Sequence, residues 1–224
     1  MWCSRRLQED YVCNDHLRQL TEQGCRQATA VGKALRELLP AHELRQKGTT
    51  LELFSSDMRR ANQTARLIRE QLLPLAKDLP VCKWSGKQTD VDQAAGGDAA
   101  MLPLHVDSML REGAPCWPEG YSGGWQPAPH EFHEEAARIE AAFRKHIHRA
   151  PPSQEHDSVT ILVCHGNVIR YFLMRALQLP PGAWLRCSVY NGCVTRLSIR
   201  DTGSVSVRSV GEALGQDANM VTYH

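Results

Sequence analysis

The sequence predicts an α/β domain with a mostly parallel sheet flanked by helices, and three observations carry that reading. The run Val159-Thr160-Ile161-Leu162-Val163-Cys164 is apolar at nearly every position and stops abruptly at His165-Gly166-Asn167. Such a run suits a strand buried on both faces. Val168, Ile169, Phe172, Leu173, Ala176 and Leu177 then recur at helical spacing until Pro180-Pro181. Strand-like and helix-like stretches alternate along most of the chain, the order that a parallel sheet with crossover helices requires. Near the end, Asn191-Gly192 and Asp201-Thr202-Gly203 separate short β-branched runs, which reads as a hairpin.

The elements follow in order. The first 19 residues have no clear period. Thr21 is placed to cap a helix in which Ala28, Val31, Leu35 and Leu38 keep helical spacing until Pro40. Thr50–Phe54 reads as a strand, followed by the polar turn Ser55-Ser56-Asp57. A second helix begins near Arg60, turns Ala61, Ala65, Ile68 and Leu72 inward, and ends before Pro74. Leu79–Trp84 is a further strand candidate, and residues 85–103 turn to Gly, Ala, Asp and Gln, which reads as a surface insertion. Val106–Arg111 resumes the core, Gly113–Pro129 is a long loop, and Glu134–His148 is a helix carrying Ala137, Ala141, Phe143 and Ile147. After the His165 unit, Arg186–Tyr190, Cys193–Arg200 and Ser204–Ser209 are predicted strands.

Composition excludes several classes. A formal charge of +1 gives no reason to expect nucleic acid or an anionic membrane as a partner. No apolar run approaches the roughly 18 residues of a membrane span. Basic residues at Arg5-Arg6 are followed by Leu7-Gln8-Glu9-Asp10 instead of a hydrophobic stretch, so no secretory signal is expected. The eight cysteines include no Cys-x-x-Cys pair, which argues for reduced thiols and an intracellular setting without a zinc site. His130-x-x-His133 and His146-x-His148 have ligand-like spacing, but a solvated helix face is the expected reading, and no metal or cofactor is assigned. Trp117 and Trp125 are read as packing anchors of a Gly/Pro loop, with Trp125 also a candidate groove residue.

Chemistry is expected at the carboxyl ends of the strands, where open α/β sheets bind ligands. His165 ends one strand and faces a helix amino terminus, which favours anions. Arg60 follows another strand, and Glu112 follows the Val106–Arg111 stretch. An arginine, a carboxyl group and an imidazole at one sheet edge suit phosphoryl transfer. The guanidinium grips phosphate oxygens, the imidazole donates to them, and the carboxylic acid can protonate a leaving oxygen. Taken singly, Arg60 reads first as part of a solvated helix face and Glu112 as a loop charge.

Several ordered motifs resemble one family. Ser56-Asp57-Met58-Arg59-Arg60-Ala61-Asn62-Gln63-Thr64-Ala65, Leu20-Thr21-Glu22-Gln23-Gly24-Cys25-Arg26-Gln27-Ala28 and Val163-Cys164-His165-Gly166-Asn167-Val168-Ile169-Arg170 resemble motifs of the histidine phosphatase (phosphoglycerate mutase-like) superfamily. Leu110-Arg111-Glu112-Gly113-Ala114-Pro115, Ala137–Arg144, Ile147–Ala150, Arg175–Gln178, Ala183–Arg186 and Asn191-Gly192 are most similar to its mitochondrial serine/threonine protein phosphatase branch. The resemblance implies a domain at 20–211 between an atypical segment at 1–19 and a tail at 212–224. It implies that Arg60 and His165 bind the phosphoryl group, that Glu112 and His165 are catalytic, and that Gly166, Asn167 and Trp125 line the pocket. It further implies phosphoprotein substrates, a phosphohistidine route without cofactor, a mitochondrial setting and room for a homo-oligomer.

One feature departs from that family. Its members begin with an apolar strand ending in Arg-His, whose imidazole is the nucleophile, whereas here the matching region reads Ser4-Arg5-Arg6-Leu7-Gln8. Arg6 cannot substitute, because a guanidinium has no free lone pair to attack phosphorus. His16 and His42 have no strand in front of them. The expectation is therefore an inactive chain without a membrane anchor or targeting segment of its own, with a shortened start the simplest account and a true pseudoenzyme the second. A phosphate- or protein-binding interaction domain is the alternative function. The β-strand before His165 is expected to have one unpaired edge and to lie apart from the C-terminal hairpin.

Overall fold

Apolar side chains alternate across the strand Thr50–Ser55 (β1), and that alternation lays down two cores. The protein is described by a computed structural model over residues 15–77, 79, 102–120 and 128–222, without the side chains of Asp15 and Glu131. A short 3-10 turn at Asp15–Leu17 leads into α1 (Glu22–Leu38), the brief α2 (Ala41–Gln46) and β1. Next come α3 (Arg59–Ala76), β2 (Leu104–Val106), α4 (Pro129–His146), β3 (Ser158–Val163) and α5 (Gly166–Ala176). The hairpin β4 (Val194–Ile199) and β5 (Val205–Glu212) closes the series.

Leu51 and Leu53 point to one face of the sheet, where Val31 and Leu35 of α1 and Ala61, Ala65, Ile68 and Leu72 of α3 cover them. Phe54 points to the other face and meets Leu110, Ile139 and Ala142 of α4, and Val168 and Phe172 of α5. The result is helices on both sides of a parallel sheet ordered β2-β1-β3. On its outer side α5 packs Leu173 and Met174 against Trp184 and the hairpin residues Leu197 and Val207. Thr21 caps α1 as its position suggested, its side chain accepting the Gly24 amide at 3.1 Å.

The α/β class holds, and several boundaries change. α3 continues through Pro74 to Ala76, because the ring removes a single amide donor within the last turn and buried Leu75 and Ala76 hold the chain in place. The second β element is only Leu104–Val106. It is followed by a 3-10 turn at Ser108–Leu110 that Asp107 caps by accepting the Met109 amide at 2.9 Å. α4 starts at Pro129, where a proline suits a first helical turn, and its inward residues are Ile139 and Ala142, with Ala137 exposed. Pro181–Arg186 is a 3-10 turn, with Tyr190 making an isolated bridge where a strand was expected. Trp184, 1% exposed, pulls that turn inward by donating from Nε1 to the Cys116 carbonyl at 3.1 Å.

β3 is less buried than its apolar run suggested, with only Val163 fully enclosed. Among the described residues it pairs with β1 alone, and β4–β5 forms a separate two-stranded sheet. The predicted strand after Leu79, most of the 85–103 insertion, residues 1–14 and Trp125 lie outside the described residues. No described helix is long and apolar enough to cross a membrane. Leu53 sits at 0% exposure in the larger core, so Leu53→Ala should cost about 2–5 kcal/mol in a urea titration. A loss well under about 1 kcal/mol would contradict its central placement.

Candidate active site

The carboxyl ends of β1, β2 and β3 lie side by side, in register at Ser55 with Val106 and with Val163. From these ends the chain brings forward Ser56, the loop carrying Glu112, and His165. His165 occupies the cap position of α5 and is 6% exposed. Its Nε2 lies 3.0 Å from Ser56 Oγ, a hydrogen bond whose donor follows the ring tautomer. Ser56 Oγ also accepts the Met58 amide at 3.2 Å, just before α3 begins with Arg59 and Arg60. The imidazole is thereby tied to the β1–α3 turn.

Asn167 does not cap α5. It is the second residue of the helix, and the capping acceptor arrives from elsewhere in the chain. Glu112 Oε1 accepts the Asn167 amide at 3.3 Å and the Gly113 amide at 3.2 Å. Asn167 Nδ2 donates to the Gly113 carbonyl at 3.2 Å, and its Oδ1 accepts from Arg170 Nη1 at 3.1 Å. A carboxyl group thus rests on the amino end of α5, beside His165.

Burial pushes the Glu112 carboxyl up to about 7, against the opposing pull of the Gly113 amide, the Arg60 charge, the Asn167 amide and the Arg170 charge. The Arg60 charge acts on Glu112, and Glu112 in turn bonds the Asn167 amide two residues after His165. Buried Gly166 gives α5 its first turn in the same place. Burial likewise pushes the neighbouring Cys164 thiol up to about 12, which leaves it an unreactive thiol at neutral pH.

Sequence reasoning missed Ser56, Arg170 and the α4 residues that hold the Glu112 loop. Arg138 and Glu135 are one helical turn apart on α4, and that i, i+3 spacing beside buried Ile139 was the available signal. His146 also differs from its expected solvated position. Its side chain is 4% exposed, donates from Nε2 to Asp107 Oδ2 at 2.8 Å, and lies edge-on to Phe54. Burial raises the Asp107 carboxyl, but hydrogen bonds from His146, Lys145 and the Met109 amide outweigh it and leave it below the usual carboxylate range. Trp117 stacks on Phe132 with ring centres 5.0 Å apart, as a loop anchor would. Among the described residues no His, Cys, Asp and Glu group could hold a metal ion.

This sheet, with His165 just beyond the carboxyl end of β3, belongs to a known class. Residues 17–211 match the histidine phosphatase superfamily (branch 1), and the chain is a member of that family. Among its relatives, the mitochondrial serine/threonine-protein phosphatase Pgam5 of Caenorhabditis briggsae is 41% identical over 213 residues, covering 95% of this chain and 63% of that protein. The Pgam5 of Drosophila virilis is 38% identical, over 94% of this chain and 61% of the relative. The chain therefore spans less than two thirds of the length of these relatives. A solved phosphoglycerate mutase from Plasmodium falciparum has a TM-score of 0.53 at 29% identity, covering 91% of this chain and 92% of that one. A putative α-ribazole-5′-phosphate phosphatase from Escherichia coli shares the fold at a TM-score of 0.53 and 18% identity, over 88% of this chain and 86% of that one.

Because Glu112 holds its proton more tightly in the folded state, it adds stability that is complete below its unfolded value and is lost as pH rises through about 7. Glu112→Gln should therefore gain on the natural chain by on the order of 1–3 kcal/mol between pH 5 and pH 8. Denaturant titrations at the two pH values measure it, and a pH-independent difference would place the carboxyl in water.

Proposed function

We propose that the chain is the phosphomonoester hydrolase domain of a protein serine/threonine phosphatase, with phosphoserine or phosphothreonine side chains as substrates. In this reading Arg60 and His165 hold the phosphoryl oxygens, aided by the amino end of α5. Glu112 gives its proton to the oxygen that leaves when the P–O bond breaks. In the complete reaction the phosphoryl group would pass from the substrate oxygen to a nucleophilic imidazole, which this sequence does not offer in an Arg-His pair, and then to water, dividing one displacement into two easier ones. The names of the relatives support the substrate class and a mitochondrial setting.

The observation that carries the reading is the Glu112 carboxyl seated on the Asn167 amide next to His165, with a pKa of about 7. A general acid works best when its pKa lies near the working pH. A bound phosphate would add negative charge beside the carboxyl and raise its proton affinity further. That favours the protonated form needed by a poor leaving group such as a serine alkoxide.

The 224-residue sequence contains no Arg-His pair, and His165 in this reading is a phosphate ligand instead of the nucleophile. In this reading these 224 residues bind phosphate without turning it over. With p-nitrophenyl phosphate and a phosphoserine peptide, it should hydrolyse no faster than His165→Ala. Turnover well above that control would mean that another group accepts the phosphate. Adding an N-terminal strand that ends in Arg-His should bring activity back. In that active chain Glu112→Gln should lower rates by about 10²-fold or more for poor leaving groups and far less for nitrophenolate. An equal loss for both would remove Glu112 from the acid role.

A further inference from the structure

Glu112 lies in a stretch that makes no ladder of its own. After the 3-10 turn at Ser108–Leu110, residues 111–115 are irregular, so their carbonyl and amide groups need partners from elsewhere. Helix α4 supplies them. Arg138 Nη1 donates to the Met109 carbonyl at 2.9 Å and to the Arg111 carbonyl at 2.7 Å, and Nη2 donates to the Glu112 carbonyl at 3.0 Å. Glu135, one turn earlier, accepts the Ala114 amide at 2.5 Å. Arg111 Nε donates to Asp57 Oδ1 at 2.7 Å and ties the same loop to the β1–α3 turn.

The fit around Gly113 is equally tight. A Cβ there would lie 2.7 Å from Arg138 Nη2 and 2.8 Å from Glu135 Oε2. A Cβ at this position would force the ends of both side chains to shift. A guanidinium presents its donors in a rigid planar fork, which suits several fixed carbonyls, whereas an ammonium donates from one point.

We propose that Arg138 is a positioning residue for Glu112, its guanidinium holding the Met109, Arg111 and Glu112 carbonyls so that the Glu112 carboxyl stays on the Asn167 amide. The inference deepens the acid role assigned above and rests on it, but it concerns where the carboxyl sits and not whether turnover occurs. Charged and titratable groups face Glu112 or act on it from every side: Arg60 from α3, Arg138 from α4, Arg170 from α5, and Cys164 at the end of β3. Removing Arg138 has two opposite consequences. Losing a positive charge raises the proton affinity of Glu112, whereas freeing the loop into water lowers it. The sign of the change separates a charge effect from a positioning effect.

The test follows the side-chain carboxyl of Glu112 and the amide of Asn167 by NMR through a pH titration, in the natural chain, Arg138→Lys and Arg138→Met. In the natural chain both signals should titrate together near pH 7. Both variants should move the Glu112 midpoint down by about one pH unit or more, and the Asn167 amide should stop following it. An upward shift in Arg138→Met with no change in Arg138→Lys would mean that only the charge matters, and would overturn the proposal. A lowered melting temperature with both signals still titrating near pH 7 would reduce Arg138 to a structural residue and overturn it as well. Should Arg138→Met not fold, Arg138→Lys alone decides. Because no step requires turnover, a failed leaving-group test removes the acid role while leaving this result readable.

Discussion

A carboxyl group resting on an amide in the first turn of a helix sets the terms for everything around it. Two forces act on Glu112 in opposite directions. Water exclusion favours the neutral acid, and the helix amino end with the charges of Arg60 and Arg170 favours the carboxylate. They balance near neutral pH, where neither form is expensive. The same carboxyl provides the cap that α5 lacks from its own sequence, since the side chain of His165 makes no capping hydrogen bond. Helix start, imidazole and candidate acid are therefore one construction, and moving any part of it disturbs the other two.

The fold serves this construction by bringing three strand ends level. The β2-β1-β3 register places Ser55, Val106 and Val163 in one row, and the chain leaves each toward the same edge. β1 carries the largest share of the burial because it lies between its two neighbours and has helices on both faces. Asp107 then fastens the exit from β2 to the end of α4 through Lys145 and His146. Arg138 and Glu135 hold the following residues, one helical turn or more earlier on that helix. α4 is thus a rail along which the loop bearing Glu112 is pinned at several points.

Much of this was legible in the sequence because it leaves a periodic trace. The apolar stripes of α1, α3 and α5 gave those helices, and the β-branched runs around the Asp-Thr-Gly turn gave the hairpin, whereas Asn191-Gly192 turns the chain without a strand before it. The positions of Arg60, Glu112 and His165 after strand ends pointed to one edge, and their convergence needed only the parallel topology. What escaped was the set of polar contacts between segments distant in sequence. Arg138 bonds to carbonyls 26 to 29 positions away, and Glu112 caps a helix 55 positions away. Backbone groups carry no signature of the side chain that will reach them. The same holds for His146, which spacing alone placed in solvent, and for the Pro181–Arg186 turn, whose shape follows from where Trp184 finds room.

The account stands on the claim that Arg60, His165 and the start of α5 form one anion site. The most direct measurement is a titration of the protein with inorganic phosphate, followed by NMR at the Arg60 guanidinium, the His165 ring and the Asn167 amide. All three should shift along one saturable curve with a midpoint near millimolar, which corresponds to about 4 kcal/mol of binding. Saturating phosphate that leaves these three signals unmoved, or that moves them with unrelated midpoints, would contradict the claim.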